Sequence, residues 1–146
     1  RVESRCLFLQ AGHGTRGRFT GLEFRRVLFQ SFEQAPKNPV GAVILESPFT
    51  SLADAAAEHY PFVPARILVK DSYDTLAKID KIKAPLFVFA GENDAIIPPQ
   101  HGKTLFEAAR QPKESHWIPG GMHNNLHQFG IPGKVIDFLR QWLAGG

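Results

Sequence analysis

The chain has 146 residues, of which 43% are hydrophobic and 21% charged, with a net charge of +3. That length suits one domain, and the composition excludes a disordered chain. No apolar run approaches the roughly 18 residues of a membrane span, and the single cysteine, Cys6, excludes an intrachain disulfide.

The charge is unevenly spread. Residues 1–33 hold six Arg (Arg1, Arg5, Arg16, Arg18, Arg25, Arg26) against three Glu (Glu3, Glu23, Glu33), whereas residues 34–146 hold eleven basic and eleven acidic residues. These Arg residues are scattered rather than stacked on one face, so nucleic acid is not expected as a partner. In the same segment "CLFLQAG" (Cys6 to Gly12) reads as a strand and "LEFRRVLFQSFEQ" (Leu22 to Gln34) as a helix, joined by the Gly- and Arg-rich "HGTRGRFTG". "CLFLQA" is too short for a signal-peptide core. The chain starts with Arg rather than Met, so it reads as a fragment from which any targeting segment would be lost with the true start. Membrane association is left open, and the cytoplasm is favoured.

From Pro39 onward the pattern is regular. "VGAVILE" (Val40 to Glu46) is a short apolar, β-branched run and reads as a buried strand. "TSLADAAAEHY" reads as a helix, with Thr50 or Ser51 as its cap and Asp54 in its first turn. "PFVPARILVKDSYDTLAKIDKIK" carries two prolines and reads as an irregular excursion with a short helix. "APLFVFAG" is a second buried strand, and "PPQHGKTLFEAAR" a helix with proline at its start. "ESHWIPGG" is a third strand, ended by Gly120 and Gly121. "IPGKVIDFLRQWL" is a last amphipathic helix, with Val135, Ile136, Leu139 and Trp142/Leu143 on one face. Trp117 and Trp142 read as core residues. Strands alternating with helices predict an α/β fold with about three parallel strands and flanking helices. Strands apolar throughout predict cover on both faces of the sheet.

In open α/β sheets functional groups gather beyond the carboxyl ends of the strands. Two polar residues fall there: Asp94 in "GENDAIIPP" and His123 in "PGGMHNN". Singly, an Asp after a strand is an ordinary turn residue and a His after Gly-Gly an ordinary loop residue. Together they suit a pair in which a buried carboxylate accepts from imidazole Nδ1–H, fixing the tautomer and leaving Nε2 to take a proton. His116, His123 and His127 are weak as a metal set. "HNNLH" carries no Glu between its histidines, and the nearby Gly and Pro residues disfavour a helix there. No metal and no organic cofactor are expected.

"SPFTSLADAA", "PLFVFAGENDAIIPP" and "GGMHNNL" together resemble the α/β-hydrolase superfamily, in its esterase, lipase, thioesterase and aminopeptidase-like serine-hydrolase branch. The resemblance covers about residues 34–143, and it implies the C-terminal part of such a domain over 34–146. It assigns the catalytic acid to Asp94 and the base to His123, and it places a lid or pocket wall over Tyr60 to Asp74. The implied reaction is hydrolysis of an ester, thioester or amide carbonyl in a small-molecule or acyl substrate. Ser47, Tyr60, Phe62 and Ile97, with Val63, are the candidate substrate-lining residues.

The family's nucleophile is a serine in a G-x-S-x-G elbow, and no such motif occurs in the chain. "GHGTRG" (Gly12 to Gly17) has Gly14 at the nucleophile position. Ser47 follows a strand directly, but it lacks flanking glycines, and Pro48 occupies the position whose N–H would serve an oxyanion. Residues 1–33 therefore read as an atypical segment not native to the domain, and "GLEFRRVLFQS" resembles translated adapter sequence. The chain alone is then expected to be inactive. It would also expose a sheet edge at Val40 to Leu45 that promotes association. The competing reading is a catalytically dead α/β-hydrolase-like binding module.

Overall fold

The computed structural model describes residues 5–9, 41–59, 62 and 74–143. Among these, a four-stranded sheet runs in the order β1-β2-β3-β4: β1 is Arg5–Leu9, β2 Ala42–Glu46, β3 Leu86–Gly91 and β4 Lys113–Ile118. The strands β2, β3 and β4 are parallel, with Val43 opposite Leu86 and Leu86 opposite Lys113. The flanking helices are α1 (Leu52–His59), α2 (Leu76–Ile79), α3 (Pro99–Ala108) and α4 (Ile131–Leu143), the last preceded by a 3₁₀ turn at Leu126–Phe129. This is the predicted partial α/β-hydrolase architecture. None of the described helices is long and apolar enough to cross a membrane.

Period-two alternation divides the sheet's side chains between its faces. Val43, Leu45, Leu86 and Val88 pack on one face with Ile79 of α2, Ile82, and Leu105 and Ala109 at α3. Ala42, Ile44, Phe87 and Phe89 pack on the other with Ile118, Leu126, and Ile131 and Phe138 of α4. Phe87 and Phe138 stack with ring centroids 5.3 Å apart. Each large apolar side chain buried in this way contributes about 1.5–3 kcal/mol. Continuous burial along β3 explains why its sequence is apolar without alternation.

Local chemistry starts and stops the helices. Ser51 Oγ accepts the Asp54 N–H at 3.0 Å and so caps α1, with Asp54 in the first turn. Pro98 and Pro99 open α3, where a missing N–H costs nothing. At the other end of α3, the Lys113 ammonium donates to the carbonyls of Phe106 (2.6 Å), Glu107 (3.0 Å) and Ala109 (2.8 Å). Its three protons thus satisfy the carbonyls that a helix terminus leaves over.

Three expectations are corrected. The edge of β2 is not exposed, because β1 pairs with it antiparallel, Cys6 opposite Leu45 and Leu9 opposite Ala42. The buried face of α4 is Ile131, Val135, Phe138 and Leu139 rather than the predicted set. Ile136 is 47% exposed, because its direction lies more than a quarter turn from that stripe. Trp142 is 36% exposed and is no core residue. It lies on the stripe but beyond the packed cluster, its indole N–H 3.5 Å from Glu114 at the start of β4. The predicted helix over Leu22 to Gln34 lies outside the described residues.

Candidate active site

The turn after β3 is built by its own aspartate. Asp94 Oδ1 accepts from the N–H groups of Ile96 (2.9 Å) and Ile97 (2.8 Å), so the side chain closes the turn as an Asx motif. The second oxygen, Oδ2, is thereby aimed elsewhere. It meets His123 Nδ1 at 2.8 Å, with the two side chains 0% and 5% exposed.

The loop after β4 reaches this point because two glycines let the backbones touch. A Cβ on Gly91 would lie 2.2 Å from the carbonyl oxygen of Gly121, so any other residue would force the loops apart. The ladder continues past the strands through Glu92 N–H to Ile118 O (3.0 Å) and Asn93 N–H to Gly121 O (2.9 Å). Gly120, with φ +74°, supplies the left-handed residue of the turn. Asn125 Oδ1 then accepts the Met122 N–H at 2.7 Å and holds the backbone beside His123.

Electrostatics favour an ionised carboxylate against the ring. Burial pushes the Asp94 carboxyl up, but the His123 hydrogen bond, the Ile97 amide, the His123 charge and the Ile96 amide together outweigh it. The net result is below the ordinary 3.8. A carboxylate accepting from Nδ1–H leaves Nε2 as the nitrogen with a lone pair in the neutral ring.

Ser47 sits directly after β2, buried, with φ +43°. Its N–H donates to Phe89 O at 2.9 Å, tying the end of β2 to β3. A left-handed serine is strained, and here it turns the chain from the sheet into the segment that leads to α1. Ile97 does not line a surface, because it is 1% exposed and packs with Phe49 and Ala55. Phe62 is 98% exposed. Tyr60 and Val63 lie outside the described residues. The histidines His116, His123 and His127 do not converge, and no metal-binding group of three His, Cys, Asp or Glu occurs among the described residues. His116 is half-buried on β4; desolvation, then the charge of Lys134, holds its pKa below the ordinary 6.5.

One polar cluster was not anticipated. His101, in the first turn of α3, is buried with Nδ1 2.8 Å from Thr50 Oγ1, which lies 3.1 Å from Asp54 Oδ2. The signal was present in the sequence: His101 and Leu105 are four apart on the helix, so an inward Leu105 implies an inward His101.

A family model for serine aminopeptidases of the S33 group matches residues 64–128. An uncharacterized protein of Mycobacterium tuberculosis is 39% identical over 111 residues, which is 75% of this chain and 39% of that protein. Alpha/beta hydrolase domain-containing protein 17B of Homo sapiens is 31% identical over 114 residues, 78% of this chain and 37% of that protein. Among solved structures, the esterase domain of a Rhodothermus marinus protein superposes with a TM-score of 0.59 at 19% identity, over 78% of this chain and 56% of that one. An esterase of Pyrococcus furiosus gives 0.55 at 17% identity, over 80% and 50%. Fold and relatives define an α/β protein of hydrolase type. The chain belongs to the α/β-hydrolase superfamily, and it spans well under half the length of the two relatives named here.

Proposed function

We propose that the chain carries the acid and base of a serine hydrolase acting on an ester, thioester or amide carbonyl. On this reading residues 34–146 are the C-terminal part of the domain, and residues 1–33 are not native to it. The observation that carries the reading is the buried 2.8 Å contact between Asp94 Oδ2 and His123 Nδ1. Each partner stands beyond the carboxyl end of its own parallel strand, where catalytic groups of such sheets gather.

The chemistry follows from the tautomer. Asp94 holds Nδ1–H, and Nε2 of His123 accepts the proton of a serine hydroxyl as its oxygen attacks the carbonyl carbon. The carboxylate stabilises the imidazolium that forms, and His123 then returns the proton to the leaving group. The serine is supplied by a part of the domain that this sequence does not contain. Alone, the chain does not turn over substrate.

A serine-reactive phosphonate tests this directly. The chain is expected to remain unlabelled. A chimera in which residues 34–146 replace the matched region of the Mycobacterium tuberculosis relative is expected to take the label and to hydrolyse a nitrophenyl ester. Labelling of the unmodified chain at Ser47, or a chimera as active with His123→Ala as without it, would overturn the reading.

A further inference from the structure

Thr50 is a junction between elements. Its carbonyl accepts from the N–H groups of Thr75 (2.9 Å) and Leu76 (3.1 Å), at the entry to α2. Its hydroxyl lies 3.1 Å from Asp54 Oδ2 in α1 and 2.8 Å from His101 Nδ1 in α3. Thr50 and His101 are 7% and 6% exposed. A hydroxyl has one proton to give and lone pairs to receive, whereas a carboxylate can only accept. The proton therefore goes to Asp54, and the oxygen accepts from His101 Nδ1–H. The Thr50 N–H also points at this nitrogen, at 3.4 Å, a longer and weaker contact than the hydroxyl's 2.8 Å.

The position of this relay gives it a consequence. The chain from Asp94 to His101 is gripped twice by the same stretch of protein. Ile97 packs on Phe49 and Ala55, and His101 bonds to Thr50. Between the two grips stand Pro98 and Pro99, and the His101 N–H bonds back to Pro98 O at 3.1 Å. Proline fixes φ, so this link has little freedom to absorb a shift. A displacement of His101 is passed to Ile97, whose N–H is bound to Asp94 Oδ1 at 2.8 Å. The same carboxylate's other oxygen is the one that meets His123.

We propose that the Asp54–Thr50–His101 relay is a positioning device for Asp94, holding the turn that presents its carboxylate to His123. The catalytic consequence rests on the function proposed above; the mechanical claim rests on geometry alone. Misplacing a catalytic group by about 1 Å can cost about a hundredfold in rate, so such a device matters although it touches no reacting atom.

The test is proton NMR on the full chain, following the low-field Nδ1–H of His123, assigned by its loss in His123→Gln. Thr50→Val keeps shape and removes the hydroxyl, and His101→Leu removes the donor. Both are expected to speed exchange of that proton about tenfold, the equivalent of one lost hydrogen bond, while the amide signals of β3 and β4 stay in place. Thr50→Ser is expected to restore the slow exchange. Two chemically different variants are used, so that misfolding of one leaves the other to decide. A proton unchanged in the folded variants overturns the relay, even where they melt earlier, and leaves the Asp94–His123 pair standing. A proton absent from the unsubstituted chain overturns that pair, and the proposed function and the relay's role fall with it.

Discussion

Asp94 makes three hydrogen bonds with two oxygens, and the division of labour between them decides its chemistry. Oδ1 builds the turn and Oδ2 meets the imidazole. In Asp94→Asn an amide oxygen can keep the two backbone bonds, but an NH₂ group then faces His123 Nδ1. Two donors cannot share that contact, so the ring is expected to move its proton to Nε2. Ring ¹⁵N shifts report the exchange of tautomers, and denaturant unfolding should show a loss of about 2 kcal/mol for the charge-assisted bond. In an active chimera the rate should fall about 10⁴-fold, as expected for a base held in the wrong tautomer.

The same scale sets the response to acid. Among the described residues, His116 and Asp94 have folded pKa values below their ordinary ones. In each case the unfolded chain takes up its proton first on acidification, so stability falls as pH falls. For His116 the loss begins below about 6.5 and is complete below its lower folded value; for Asp94 it begins below about 3.8. Urea unfolding between pH 8 and pH 3 should therefore lose stability in two stages, and His116→Gln should remove the upper one only. Stability rising as pH falls from about 6.5 to 5 would contradict the sign for His116, and stability rising as pH falls below about 3.8 would contradict the sign for Asp94.

At the scale of the element, α4 shows how far periodicity reaches. The spacing of Ile131, Val135, Phe138 and Leu139 is i, i+4, i+7, i+8, a stripe that packs on Phe87 and Phe89. Ile136 and Trp142 are apolar too, and the sequence does not say which of two overlapping stripes meets the sheet. The packing partners decide it. Phe138→Ala is accordingly expected to cost about 3–4 kcal/mol, because it empties the stack on Phe87. Ile136→Ala should change stability by no more than about 0.5 kcal/mol. Thermal and denaturant unfolding of the two variants distinguish the stripes, and equal costs would place the buried face wrongly. The strands β2 and β3 were easier to read, because apolar β-branched and aromatic runs bounded by Pro and Gly have few other uses in a chain of this size.

For the whole molecule, the feature with the widest reach is the pairing of β1 with β2. It places an antiparallel strand on a sheet that is otherwise parallel, and it covers backbone groups that the strand β2 would present to any neighbour. Removal of residues 1–33 is expected to leave the site geometry of Asp94 and His123 intact and to make the chain associate with increasing concentration, measured by light scattering. A monomer at all concentrations would show that this edge needs no cover. The two relatives extend well beyond the regions that this chain matches, which makes the chimera a natural test of the proposed function.

What the sequence determined by itself is local. Apolar runs locate the strands, Ser51 and Pro99 start helices, and the turns carrying Asp94 and His123 follow their strands because Gly and Asx chemistry is encoded within a few residues. The candidate pair was legible for the same reason: each member stands at a strand end, and the two stretches together resemble a known family. Tertiary structure alone decided what lies across the fold. The Thr50–His101 contact joins residues 51 apart, β1 turns against β2 rather than along it, and Ile97 points into the core instead of toward a substrate. Such contacts depend on which surfaces are brought together, and hydrophobic burial, being non-directional, leaves that choice to the packing of the whole chain.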